Sequence, residues 1–142
     1  MIETFSAALG RSVVAVDTAE NVGTVKEFVV DRLAQRIDAL RIAGHRKKAK
    51  FLPWSSVRSF GTDAVVAEPD STTEQTQPAD ERVEKAMVGS RVLTTAGCMI
   101  GKVTDVRFET ADGTIVGVDT DTGPIEAARL RSVGSYALVV LP

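Results

Sequence analysis

The sequence has very few of the side chains on which disulfides and most enzyme active sites depend. Its 142 residues include one cysteine, one histidine, one tryptophan and one tyrosine. Cys98 has no second cysteine to pair with, which excludes an internal disulfide and fits a reducing compartment. His45 is followed by Arg46, Lys47 and Lys48, and these cationic neighbours offer it no partner for acid–base or nucleophilic catalysis. Catalysis by cysteine or histidine is therefore not expected.

Complete motifs for nucleotide, acyl-transfer or metal chemistry are also missing. The chain has no Gly-x-Gly-x-x-Gly, no phosphate-binding loop with Gly-Lys-Ser/Thr and no Gly-x-Ser-x-Gly. Asp119 and Asp121 look like the opening of a calcium loop, but the third acidic ligand, the central glycine and the closing glutamate are absent. We therefore expect no cofactor, no metal site and no enzymatic activity.

Long apolar runs and a basic charge excess are lacking as well. No segment approaches the roughly 18 to 20 consecutive apolar residues of a membrane span, and the first residues lack the pattern of a secretory signal. We expect a cytoplasmic protein with no membrane span. The net charge of -2 argues against a globally basic nucleic-acid binder, so nucleic acid is a disfavoured partner. Residues 1–67 carry ten Lys and Arg against seven Asp and Glu, whereas residues 68–84 carry one against six.

The acidic segment, residues 68–84, divides the chain. Val83 is its only large apolar residue, so it cannot bury enough surface to offset the entropy of ordering. We interpret it as a polar linker between a first module, residues 1–67, and a second module, residues 85–142. After Pro78, acidic residues precede Lys85, and Val83 and Met87 are one helical turn apart, which predicts a short helix at the end of the linker.

The segments on either side of the linker repeat each other. Gly10 and Gly23 flank a Val-rich strand pattern in the same way that Gly89 and Gly101 flank a second one. Further along, residues 23–31, 36–41 and 57–66 align with residues 101–109, 114–119 and 130–139. The order of short β-branched segments and glycines predicts two copies of one small all-β module.

Local patterns define some elements of the module more closely. Residues 36–43 alternate in a way that predicts a strand with Leu40 and Ile42 facing inward. The second copy carries a hairpin signal at residues 111–113, where Gly113 can adopt the positive φ that such turns need. The first copy has Leu-Ala-Gln at residues 33–35, which predicts a different type of turn.

The order of these motifs resembles the PRC-barrel superfamily. The residues that carry the resemblance are Gly10, Val13, Gly23, Val25, Val29, Val30, Asp31, Leu52, Pro53, Trp54, Val57, Val65 and Val66. The resemblance implies two small six-stranded PRC-like β-barrels in tandem. It also implies a protein-docking role rather than catalysis, as in the cytoplasmic part of the photosynthetic reaction-centre H subunit; another branch contains a ribosome maturation factor.

Two adjacent features are candidates for binding a partner. One is the basic run Arg46, Lys47, Lys48 and Lys50, which is either a solvated hairpin tip or a patch for an acidic partner. The other comprises Phe51, Pro53 and Trp54, which either pack in the barrel or serve as a docking anchor. The second copy has Glu126 and Ala127 in place of the last two, so binding through this corner is expected in the first copy only.

These observations favour a non-enzymatic adaptor or scaffold whose partner is another protein, with a homo-oligomer as a further arrangement. The alternative is a ribosome- or RNA-associated maturation factor, which the basic tip and one branch of the superfamily suggest. The basic tip corresponds to the acidic residues Asp119 and Asp121 of the second copy, so a head-to-tail contact between copies is a further hypothesis. Two unrelated exposed loops would give the same pattern.

Overall fold

The computed structural model describes residues 1–44, 49–69 and 87–142. In these ranges the first copy contains one short helix, α1 (Phe5–Ala8), and a 3₁₀ turn (Trp54–Ser56). Its strands are β1 (Ile2–Thr4), β2 (Ser12–Ala15), β3 (Asn21–Val30), β4 (Ile37–Ala43), β5 (Ala49–Pro53), β6 (Val57–Phe60) and β7 (Ala64–Ala67). The second copy contains a 3₁₀ turn (Ala127–Arg129) and the strands β8 (Arg91–Thr94), β9 (Met99–Glu109), β10 (Ile115–Thr120), β11 (Gly123–Glu126), β12 (Leu130–Val133) and β13 (Leu138–Val140).

Each copy forms a strongly curved sheet with the same strand order. The first sheet runs β5-β4-β3-β2-β7-β6 and the second runs β11-β10-β9-β8-β13-β12. In each sheet the two outermost strands follow each other in the chain, joined only by the 3₁₀ turn. Such a short connection spans about 14 Å at most, whereas the edges of a flat six-stranded sheet lie about 24 Å apart. Each sheet must therefore curl into a barrel, which confirms the predicted all-β fold.

The two barrels share irregular details as well as strand order. In both, the first and last strands of the barrel in chain order pair in parallel, β2 with β7 and β8 with β13. Gly23 and Gly101 lie at the same bulged position with φ of 150° and 153°. A Cβ on Gly23 would lie 2.5 Å from the Ala43 carbonyl oxygen, so a side chain there would collide with the neighbouring strand. The glycines that mark the repeat in the sequence thus mark an obligatory close approach.

The predicted strand at residues 36–43 and the predicted difference between turns are confirmed. Leu40 and Ile42 are fully buried, and a register shift between β3 and β4 turns Ile37 inward too. Gly113 has φ of 76°, whereas in the first copy Ala34 takes the left-handed conformation, with φ of 57°. The predicted linker and short helix lie outside the described residues, apart from residues 68, 69 and 87.

The first strand does not join the sheet of its own copy. β1 pairs antiparallel with β9, so that Ile2 is opposite Glu109 and Thr4 is opposite Arg107. Helix α1 follows directly, and Ser6 donates its backbone N–H to Asp105 of β9 at 3.1 Å. The sequence interpretation assigned these residues to the first module, because nothing near them indicates a pairing partner that lies about 105 positions further along.

Arg11 and Glu3 hold the N-terminal segment in place. The Arg11 guanidinium donates to both Glu3 carboxylate oxygens, at 2.5 and 2.8 Å, and the two side chains are only 9% and 12% exposed. Arg11 also donates to the carbonyl oxygens of Gly61 and Ala7, at 2.7 and 3.3 Å. One cation thus ties β1 of the second sheet to α1 and to the β6–β7 turn of the first.

The two copies meet around a local two-fold axis. Arg36 and Thr114, which are equivalent residues, form an isolated antiparallel bridge. On one side of it the Ile37 N–H donates to the Gly113 carbonyl oxygen at 2.8 Å, and on the other the Ile115 N–H donates to the Gln35 carbonyl oxygen at 2.8 Å. Equivalent residues therefore make reciprocal bonds, which is the arrangement of a symmetric dimer. The buried side chains of both copies form one continuous cluster.

We predict that Glu3→Gln lowers the free energy of unfolding by about 2 kcal/mol at pH 7, because Arg11 loses two charge-assisted hydrogen bonds. The bonds from Arg11 lower the pKa of Glu3 below its ordinary value of 4.5. The ionised carboxylate therefore contributes stability above that pH, and the contribution is lost as the pH falls through the lowered folded pKa. Urea denaturation at pH 7 and pH 3 should show the difference from wild type shrinking at pH 3.

The matched control is Glu27→Gln. Glu27 is more exposed than Glu3 and pairs with Arg41 at 3.3 Å, so its loss should cost less than about 1 kcal/mol. Equal losses for the two variants, or a Glu3→Gln deficit that is unchanged at pH 3, would contradict this role of the ion pair.

Candidate docking surface

The candidate residues of β5 alternate between the barrel interior and its outer face. Leu52 is fully buried opposite Leu40, whereas Phe51 faces outward opposite Arg41 and Pro53 is exposed. The Arg41 guanidinium lies over the Phe51 ring at 5.3 Å, and Glu27 on the next strand is 3.3 Å from the same guanidinium. Lys50 is half-buried at the start of β5. Phe51 is therefore an outward-facing aromatic ring held by a cation.

Trp54 points in the other direction, into the contact between the copies. Its indole stacks on Phe60 at 5.7 Å and meets the edge of Phe108 of the second copy at 6.4 Å. A Cβ on Gly113 would lie 2.8 Å from the indole ring, so the ring lies directly against that turn. Trp54 therefore packs with the core, and what it contacts is the other half of its own chain.

The equivalent corner of the second copy makes the reciprocal contact with different chemistry. Gln35, which is equivalent to Gly113, donates its side-chain amide to the carbonyl oxygens of Ala127 and Leu130, at 3.4 and 3.1 Å. Ala127 occupies the position of Trp54. Each 3₁₀ turn thus contacts the β–β turn of the other copy, through an aromatic ring in one direction and an amide in the other.

Three of the predicted partner-binding residues, Arg46, Lys47 and Lys48, lie outside the described residues, so the basic tip stays a prediction. On the opposite tip, Asp119 pairs with Arg107 at 3.3 Å and Asp121 accepts the Lys102 backbone N–H at 2.9 Å. Both contacts lie within the second barrel. The contact between copies at the Arg36–Thr114 bridge joins equivalent positions and is symmetric, and a head-to-tail contact through the basic tip stays a prediction.

Contacts that shift pKa values in this chain serve the fold. Arg11 lowers the pKa of Glu3, the N-terminal ammonium lowers that of Glu109, and the Thr114 backbone N–H lowers that of Asp112. Glu3 holds β1 against Arg11, Glu109 holds the N-terminus at the end of β9, and Asp112 lies in the turn after β9. Within residues 1–44, 49–69 and 87–142, no three His, Cys, Asp or Glu side chains cluster as metal ligands would.

The residues that shape this surface most could not be recognised in the sequence. Arg11 and Glu3 have no local pattern that distinguishes them from other charged residues, and their bidentate pair forms only where β1 lies beside α1 and the residue before β2. The sequence identifies Gly113 as a turn residue but does not show that the Trp54 indole packs against it. No local pattern could have shown either contact: the place of Glu3 depends on the pairing of β1 with β9, and Trp54 and Gly113 lie on opposite sides of the linker.

Comparison with known families agrees with the observed strand order. Residues 3–73 match the PRC-barrel domain. The chain belongs to the PRC-barrel family. The match covers half of the chain and corresponds to the first copy, and the second copy repeats the same strand order, as predicted from its glycines. No curated protein matches the chain. Among the described residues, this PRC-barrel chain contains no helix that is long and apolar enough to cross a membrane.

We predict that Trp54→Ala lowers the free energy of unfolding by about 3 kcal/mol, because the ring packs between the copies. Gly113→Ala should also destabilise the protein. The left-handed backbone at this position should cost about 1 kcal/mol, and the collision of the new Cβ with the indole should add to that cost. Thermal or urea denaturation of the single and double variants would measure the coupling between the two sites.

Gly97→Ala is the control, since Gly97 has φ of 86° and no atom near its absent Cβ. In the Trp54→Ala background, Gly113→Ala should cost no more than Gly97→Ala. Additive effects at positions 54 and 113 would show that the indole does not press on this turn.

Proposed function

We propose that this PRC-barrel chain is a non-enzymatic adaptor or scaffold that binds another protein through the outer face of its first barrel. The observation that carries the proposal is Phe51, an aromatic ring on the outer face beside the exposed Pro53. Aromatic side chains and arginine are the residues that most often dominate protein interfaces. The same proposal places the protein in the cytoplasm, in keeping with its single cysteine.

The comparison of the two barrels supports this surface. We call its residues the outer strip; in the first copy they are Glu27, Arg41 and Phe51 on one row and Val29, Ala39 and Pro53 on the next. The same rows of the second copy hold Asp105, Asp119 and Pro124, then Arg107, Gly117 and Glu126. The second barrel therefore carries Arg107 and Glu126 where the first carries the buried Val29 and the exposed Pro53, and it has no aromatic ring at the position of Phe51, although the backbones correspond. A fold requirement would act on both copies alike, so the difference favours binding by the first.

Trp54 supports the proposed docking surface by fixing the position of the outer strip. Trp54 is engaged with Gly113 and Phe108, so it fixes the 3₁₀ turn that follows Pro53. Pro53 in turn ends β5, where a proline is tolerated because the strand is at a sheet edge. The outer strip is thus presented by a rigid corner, which limits the entropy lost when a partner binds.

The proposal predicts that the partner is a protein and that Phe51 touches it. A photo-reactive phenylalanine at position 51 should cross-link one specific protein in an extract of the native host, and the same residue at the equivalent position, Pro124, should not. The captured protein, once purified, should bind the wild-type chain, and Phe51→Ser with Pro53→Glu should weaken binding at least tenfold, as expected for loss of an interface anchor.

The salt dependence separates this function from an RNA-associated role. Binding through Phe51 and Pro53 should change little between 50 and 300 mM salt, whereas binding through several phosphates would fall steeply. Retention of RNA in place of a protein, or cross-links only to a second copy of the chain, would contradict the adaptor proposal.

A further inference from the structure

A second surface lies on the second barrel, and its cationic and aromatic side chains are present in the second copy only. Arg91 of β8 and Lys102 of β9 lie directly opposite each other in the antiparallel pair, and both are exposed. Tyr136, in the β12–β13 turn, is 63% exposed, and the Arg91 guanidinium lies over its ring at 4.7 Å. We call these three residues the cationic cluster. It shares no residue with the outer strip.

The first barrel has none of these groups at the equivalent positions. Ser12 and Thr24 form the same cross-strand pair there, and Asp63 occupies the place of Tyr136 in the corresponding turn. Because the two turns are closed by equivalent hydrogen bonds, Gly61 to Ala64 and Gly134 to Ala137, the fold itself does not require a cation or an aromatic ring. The cationic cluster is a property of the second copy alone.

The arrangement is unfavourable unless an acidic group other than those of the described residues interacts with it. Like charges directly opposite on two strands destabilise a sheet. Neither Arg91 nor Lys102 forms an ion pair with the residues that the structure describes. An anionic ligand would relieve the repulsion, and Tyr136 beside Arg91 would add a flat amphipathic contact of the kind found in interface hot spots.

We propose that the cationic cluster docks an extended acidic peptide segment of a partner protein. Two neighbouring cations suit two carboxylates of one short segment. A long polyanion such as RNA fits less well, since Asp121 accepts the Lys102 backbone N–H at 2.9 Å, which places a carboxylate next to this residue, and Asp105 and Asp119 occupy the same barrel. The net charge of -2 also opposes a long polyanion. With the outer strip on the first barrel, the chain has two non-equivalent docking surfaces and can bridge two partners.

Fluorescein-labelled hexaglutamate, with hexaglutamine as the uncharged control, tests the proposal by fluorescence anisotropy on the full chain at low ionic strength. Wild type should bind hexaglutamate and not hexaglutamine. Arg91→Ser with Lys102→Thr should weaken binding about tenfold, and Tyr136→Ser about threefold, whereas Tyr136→Phe, which keeps the ring, should bind like wild type. Ser and Thr are the residues that the first barrel has at the positions of Arg91 and Lys102. The melting temperature of the double variant should therefore stay the same or rise.

The matched control, Lys26→Thr with Arg58→Ser, removes two exposed cations from the first barrel and should change binding less than twofold. The proposal is overturned if wild type does not bind hexaglutamate, or if both double variants weaken binding equally. It is also overturned if a single-stranded oligouridylate binds the cationic cluster more tightly than hexaglutamate does.

Discussion

The arrangement of this protein depends on a pair of reciprocal backbone hydrogen bonds, from Ile37 to Gly113 and from Ile115 to Gln35. A single barrel of this size buries too small a share of its surface to be more than marginally stable. The bonds place two such barrels together so that their apolar side chains merge into one cluster. Because equivalent residues meet, the chain has the geometry of a symmetric dimer whose subunits have been joined covalently.

Covalent joining allows the two subunits to differ, and the structure shows where they do. The N-terminal segment crosses to the second sheet and is held by Arg11 and Glu3. The contact between the 3₁₀ turns and the β–β turns uses an indole in one direction and an amide in the other. A symmetric dimer would have to repeat every surface, whereas this chain can present the outer strip with Phe51 once and the cationic cluster once. That division suits the proposed adaptor role.

Much of the fold could be predicted from the sequence because its signals are local. Gly23 and Gly101 mark close strand approaches, Gly113 marks a turn, and Leu40 and Ile42 show the inward face of β4 by their spacing. The site could be predicted only in part. Phe51 and Pro53 were correctly placed on one edge strand, but whether Trp54 faces solvent or core depends on Gly113, which is 59 positions away.

The assignment of β1 shows the same limit more strongly. Residues 2–4 have no feature that prefers one sheet to the other, and their place depends on the pairing of β1 with β9 and on the contact of Glu3 with Arg11. Equally, the symmetric contact could not be inferred from charge. The symmetric contact at the Arg36–Thr114 bridge is made by backbone groups that every sequence possesses.

The most direct test of the account is to cut the covalent connection and ask whether the two copies stay together. A specific protease site inserted between Gln75 and Thr76 would yield two fragments under native conditions. We predict that they co-elute at the volume of the uncut chain at micromolar concentration and give one cooperative thermal transition, because the symmetric contact and the shared core hold them. Fragments that separate on the column, or that melt in two independent transitions, would contradict the account.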